Sequence, residues 1–165
     1  MSTHARGVRL AAAGDVDCMV ALSGAKRRAY ALVQPLFWRP APDADARQRA
    51  FFAAQLTRAD VLAFVHESEG KTDGFVIATL VTAPPVYDPG GRTCVVDDFA
   101  VADPGLWDTV GRMLLETALR AARARGAVQS VLVCGQHDEP KRKILAGLGH
   151  APASEWWVAP LPGAD

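Results

Sequence analysis

The stretch from Val61 to Val81, VLAFVHESEGKTDGFVIATLV, constrains the fold most. Two apolar runs rich in β-branched residues flank a glycine-bounded turn at Gly70 to Gly74, the pattern of a β-hairpin. A third such run, RTCVVDDFAVA, follows the proline- and glycine-broken loop TAPPVYDPGG. Three strands in succession commit the chain to a sheet, and a sheet must bury a face against another layer.

The flanking segments supply that layer. GVRLAAA reads as a short first strand, and GDVDCMVALSGAKRRAYALV as a helix with Asp15 as its capping residue and Val16, Met19, Val20 and Leu22 as apolar positions. Three prolines make QPLFWRPAPDAD a loop, after which ARQRAFFAAQLTRAD resumes a helix. A further helix is predicted from about Asp108 to Arg125, with Val110, Leu114, Thr117, Ala118 and Ala121 on one face and Gly126 just past its end. VQSVLVC is a strand. DEPKRKILAGLG is a helix capped by Asp138, with Pro140 in its first turn and Gly149 beyond its end, and SEWWVAPL is a last strand. The expected order β-α-α-β-β-β-α-β-α-β describes one α/β domain over residues 1–165, a mixed, mostly antiparallel sheet flanked by helices.

Charge narrows the partners. Eighteen basic residues balance eighteen acidic ones, which argues against nucleic acid or an anionic membrane surface as the main partner, since both select a basic excess. No apolar run approaches the ~20 residues that span a bilayer, and MSTHARGVRLAAAG has no apolar core of signal-peptide type. Cys18, Cys94 and Cys134 fall in apolar runs, so buried free thiols in a reducing cytoplasm are expected. No Cys/His spacing resembles a zinc site, and Ser23 and Ser130 have no His/Asp context in the sequence for nucleophilic catalysis.

Two stretches carry chemistry. VADPGLWDTVGRMLL, Val101 to Leu115, joins a strand end to a helix through a turn at Pro104 and Gly105. A helix N-terminus offers bare N–H groups and a positive dipole end, so the stretch reads either as a phosphate cradle or as an ordinary turn capped by Asp108. In VVDDFAV, two carboxylates interrupt an apolar strand, and alternation points Asp97 and Asp98 to opposite faces. Each is either a functional acid or one half of an ion pair, for example with Arg92.

The element order resembles the GNAT superfamily of N-acetyltransferases over nearly the whole chain. Members carry a strand ending in Val, a Pro-containing turn, and Arg/Gln-x-x-Gly-x-Gly/Ala opening a helix. Here Gly111 takes the last small position, while Leu106 and Asp108 stand where Arg or Gln is usual and Thr109 replaces the first motif glycine. LAGLGH matches the family's lYeklGF at Leu148 and Gly149, with Leu145 in place of the tyrosine and His150 in place of the phenylalanine. Asp138 stands where an Asn often opens that helix. VVDDFAV is similar to EDFFV of spermidine/spermine N-acetyltransferases and to EDLYV of related members.

The resemblance implies acetyl-CoA as co-substrate, without a metal, and direct transfer of its acyl group to a primary amine, borne by a small molecule or a protein. It places the pyrophosphate on Leu106, Trp107, Asp108, Thr109, Val110, Gly111 and Arg112, and the pantetheine arm on backbone groups of Phe99, Ala100 and Val101. Asp138 and Lys141 join the CoA site. Asp97 handles the amine proton, and Asp98, Trp38 and Trp156 line the acceptor side. With Leu145 in the tyrosine's place, either no general acid remains or Tyr87 reaches in from the loop before the DD strand. A cytoplasmic enzyme is implied, and homodimers are common in the family. The rival reading on the same scaffold is a non-catalytic acyl-CoA sensor or interaction protein, and a third keeps the fold without CoA.

Overall fold

The computed structural model describes residues 7–163. Met1 to Arg6, part of the N-terminal stretch read above, lie outside it. Among the described residues five strands form one sheet in the order of the chain: β1 (Gly7–Leu10), β2 (Val61–Ser68), β3 (Lys71–Val81), β4 (Arg92–Val101) and β5 (Ala127–Leu132). The first four pair antiparallel, and β5 joins β4 in parallel. A parallel neighbour needs a crossover, and the helix α3 (Arg112–Ala124) supplies it. The other helices are α1 (Val16–Val33), α2 (Ala44–Gln55) and α4 (Glu139–Gly147). Among the described residues no helix is long and apolar enough to cross a membrane.

Strand alternation divides the core between the two faces of the sheet. Ala63, Val65, Phe75, Ile77 and Ala100 pack on Val16, Met19 and Val20 of α1 and Phe52 of α2. Leu62, Phe64, Val76, Leu80, Val96 and Phe99 pack on Leu114, Leu115 and Ala118 of α3 and on Ile144 and Leu145 of α4. Phe52, Phe75 and Phe99 are fully buried, each worth roughly 1.5–3 kcal/mol relative to exposure. Gly74 lets α3 sit close on the sheet, because a Cβ there would lie 2.8 Å from both Leu114 Cδ1 and Val110 Cγ1.

Several local expectations change. Cys94 is buried and Cys134 half-buried, but Cys18 is exposed. The hairpin turn is at Glu69 and Gly70, both with positive φ, and Gly74 already lies in β3. Asp15 does not cap α1; its carboxylate takes two hydrogen bonds from Arg9 and one from the Ala12 N–H, which holds it below the usual carboxylate range. The α3 segment begins as a 3₁₀ turn (Pro104–Leu106) and one π turn (Trp107–Gly111) before the α-helix proper. Asp138 does cap α4, accepting from the Lys141 N–H. SEWWVAPL forms no strand. Pro152 and Pro162 bracket it and Pro160 lies within it, which weakens any ladder, and Trp156 and Trp157 are 83% and 89% exposed.

Candidate active site

The site is a fork in the sheet. β4 and β5 pair from Arg92 and Ala127 to Val96 and Leu132, and the Val133 N–H closes the pairing on the Val96 carbonyl. Beyond that point the register with β5 ends, while β4 runs on to Val101 against β3 alone. Phe99, Ala100 and Val101 therefore lie on the stretch of β4 that β5 has left. Such an edge carries unpaired N–H and C=O groups, which suit an amide-bearing chain such as pantetheine.

The fork opens at a bulge. Ala78 pairs with Val96 and Val76 with Phe99, so Asp97 and Asp98 together oppose Ile77. The extra residue breaks alternation: Val96 and Phe99 share one core face although three positions separate them. The opposite-face reading of the two aspartates consequently fails. Asp97 is exposed and Asp98 half-buried. Burial, then the negative charge of Asp97, pushes the Asp98 carboxyl up, while Lys26, Lys141 and Arg27 act against this. The desolvated carboxylate at the fork is thus Asp98. Arg92 binds the Leu80 carbonyl instead of either acid.

The turn after β4 is more fully engaged than a bare cradle. Gly105 N–H donates to Asp103 Oδ1 at 2.7 Å, Leu106 N–H to the Asp103 carbonyl, and Trp107 N–H to Pro104. Arg112 N–H is taken by Trp107 and Thr109, and the Thr109 hydroxyl points to Leu106 at 3.4 Å. Asp108 caps nothing; it pairs with the Arg112 guanidinium at 2.8 Å, and this pairing holds its carboxyl low. Arg112 therefore already has a carboxylate partner. Gly111 is small for an internal reason: a Cβ there would lie 2.6 Å from the Trp107 indole. Trp107 is buried edge-on to Phe99, with ring centroids 4.8 Å apart, and Val110 is buried beside it.

Lys141, expected to join the CoA site, is only 1% exposed. Its Nζ donates to the Val133 carbonyl at 2.8 Å, where the strands part, and lies 5.3 Å from the Phe99 ring centroid and 5.6 Å from that of Trp107. Burial first, then Lys26, pulls its pKa down to about 8.

On the other side of the fork, Tyr30 of α1 donates its hydroxyl to Asp138 at 2.6 Å and accepts from the Gly135 N–H. Trp38 packs edge-on against Tyr30, Phe37 against Trp38, and Trp156 against Phe37. Trp38 and Trp156 are thus joined to the site through one aromatic chain. Tyr87 is not brought there: it is 72% exposed, in the loop entering the opposite end of β4. Sequence reading missed Lys26 and Tyr30, whose i, i+4 spacing on α1 was the available signal. It also missed that Ser130 lies 2.9 Å from His150 Nε2, a pairing across 20 residues that spacing does not reveal.

The open β4 edge fits the arm of acetyl-CoA, whereas the turn at residues 105–112 offers fewer free amides than its length suggests. Among the described residues no cluster of His, Cys, Asp or Glu could hold a metal.

No protein-family model matches the chain, and no curated protein sequence does. Solved structures do. A point mutant of the BH1408 protein of Bacillus halodurans superposes with a TM-score of 0.82 at 17% identity, over 93% of this chain and 98% of that one. A predicted acetyltransferase of Clostridium acetobutylicum, crystallised with acetyl-CoA, gives 0.72 at 16% identity over 94% and 96%. The aminoglycoside N-acetyltransferase AAC(6')-Iy in complex with CoA gives 0.71 at 12% identity over 98% and 97%. At these identities the likeness concerns the fold. The chain has the fold of the GNAT superfamily of N-acetyltransferases.

Proposed function

We propose that this protein transfers an acyl group from acyl-CoA to a primary amine of a small molecule or a protein. The observation that carries this reading is the β4–β5 fork with a desolvated carboxylate, Asp98, at its bulge. Phe99, Ala100 and Val101 would hold the pantetheine amides, and the helix start at Trp107 to Arg112 the phosphates. Acyl-CoA supplies the thioester. Asp98, rather than Asp97, draws in the acceptor ammonium and takes its proton, directly or through water, because an alkylamine attacks only when neutral. The aromatic chain from Tyr30 through Trp38 to Trp156 favours an amine with apolar parts.

The second reading is an acyl-CoA sensor that turns nothing over. Leu145, buried where the resemblance places a tyrosine acid, favours it. Calorimetry with acetyl-CoA, followed by assay of CoA release over a panel of amines, tests both. Binding with release supports transfer, binding without release supports the sensor, and no binding rejects both.

A further inference from the structure

We propose that Lys141 is the proton donor to the CoA sulfur, filling the role for which Leu145 has no acid; this rests on the acyl-transfer reading above. Lys141 and Leu145 are four residues apart on α4 and both are buried, so they share the helix face turned to the fork. The Lys141 side chain reaches the apex, where its Nζ bonds the Val133 carbonyl. Phosphates at the turn after β4 and an arm along Val101, Ala100 and Phe99 set a direction. The reacting end then points back toward the bulge and the apex, where the ammonium waits.

The surroundings suit a proton donor. Lysine has three N–H donors; here one meets a backbone carbonyl and the ammonium otherwise faces the Phe99 and Trp107 rings. A buried cation so placed is short of a counter-anion, which a developing thiolate supplies. Lys26 from α1 pushes the Lys141 pKa down, and Cys134 after β5, Asp138 at the start of α4 and Asp97 on β4 pull it up; with burial the balance is about 8. That is close to the ~8.5 of an ordinary thiol, where proton transfer to sulfur is efficient. The other donors nearby are poorer. Tyr30 has committed its proton to Asp138, and burial together with that bond raises its pKa. The Cys134 thiol is also pushed up by burial.

The step balances. Asp98 takes one proton from the acceptor ammonium. The amine nitrogen bonds the acyl carbon while the C–S bond breaks, its electron pair going to sulfur, and Lys141 Nζ gives that sulfur a proton. Of the two protons the acceptor sheds, one restores Lys141 and the other reaches solvent.

The test needs no acceptor. CoA is bound to the full-length protein and its thiol titrated by thiolate ultraviolet absorbance, with the S-methyl-CoA complex as blank. We expect bound thiol to ionise at lower pH than free CoA, and Lys141→Met to move it up by about one pH unit or more, the effect of removing a close opposite charge. Lys141→Gln repeats the measurement should Lys141→Met not melt cooperatively. Lys141→Arg keeps the charge, so the low thiol pKa persists in that variant. Equal thiol pKa values in wild type and Lys141→Met overturn the assignment. So does an acetyl group found on Lys141 after incubation with acetyl-CoA, which would make it a nucleophile. Wild-type protein that fails to bind CoA overturns the acyl-transfer reading itself; if Lys141→Met then binds, Lys141 is a plug.

Discussion

The Tyr30 hydroxyl donates to Asp138 at 2.6 Å, tying the last turn of α1 to the N-cap of α4 across 108 residues of sequence. The same Asp138 caps α4 through the Lys141 N–H. One carboxylate therefore fixes both the helix that carries Lys141 and its distance from α1. Tyr30→Phe keeps the ring and removes the bond. We expect a stability loss of about 1.5–3 kcal/mol, the worth of a hydrogen bond to a charged group, read by urea unfolding. No change would mean that water replaces the hydroxyl without loss.

Lys141 makes stability depend on pH in an unusual direction. Below about pH 8 folded and unfolded chains both hold the proton, and the fold carries the whole cost of a buried charge. From about 8 to the unfolded value of about 10.4, the folded chain has lost the proton and the unfolded chain keeps it, so this contribution favours folding more as pH rises. Lys141→Met should stabilise the fold near pH 7 by up to about 3 kcal/mol, with the advantage shrinking through that window. Denaturant unfolding at several pH values checks it; a Met variant less stable than wild type near pH 7 would contradict it.

The two aspartates should separate in kinetics. Asp98→Asn is expected to lower turnover by ~10²-fold or more, as loss of a general base does, with acetyl-CoA affinity little changed. Asp97→Asn should have a small effect. Because burial raises the Asp98 carboxyl, the acid limb of the rate profile should fall above the ordinary aspartate range. Equal effects of the two substitutions would sink the assignment.

Gly111 is a packing residue. A Cβ at 2.6 Å from the indole forces Trp107 to move, so Gly111→Ala should cost about 1–3 kcal/mol of stability. Pairing it with Trp107→Leu should recover part of the loss. Thermal melts of the single and double variants measure the coupling.

Asp108→Asn removes the partner of Arg112 at an exposed site. Arg112 and the helix start are then freer to meet phosphate, so acetyl-CoA should bind more tightly, by less than ~1 kcal/mol. Calorimetry reads this directly. A drop in affinity would show that the Asp108–Arg112 pair helps to form the turn.

The sequence by itself determined most of the elements, because each rests on local physics. The Val61–Val81 hairpin, the amphipathic face of α3 and the Asp138 cap all come from near neighbours along the chain. The resemblance at VVDDFAV and LAGLGH pointed to the fold whose strands the structure displays. What only the tertiary structure decided were effects of residues far apart. The bulge opposite Ile77 overrode alternation and turned Asp98, not Asp97, inward, because register is set by the partner strand β3. Lys141 has the look of a solvated helix residue until Val133, Phe99 and Trp107 close around it. Asp108 has the look of a cap until the π turn places it against Arg112. Trp156 and Trp157 promised a strand, but a ladder needs a partner edge, and the proline-bracketed segment takes none. Propensity and period are properties of a segment; burial, register and charge pairing belong to the assembled molecule, and these decide which side chains reach the fork.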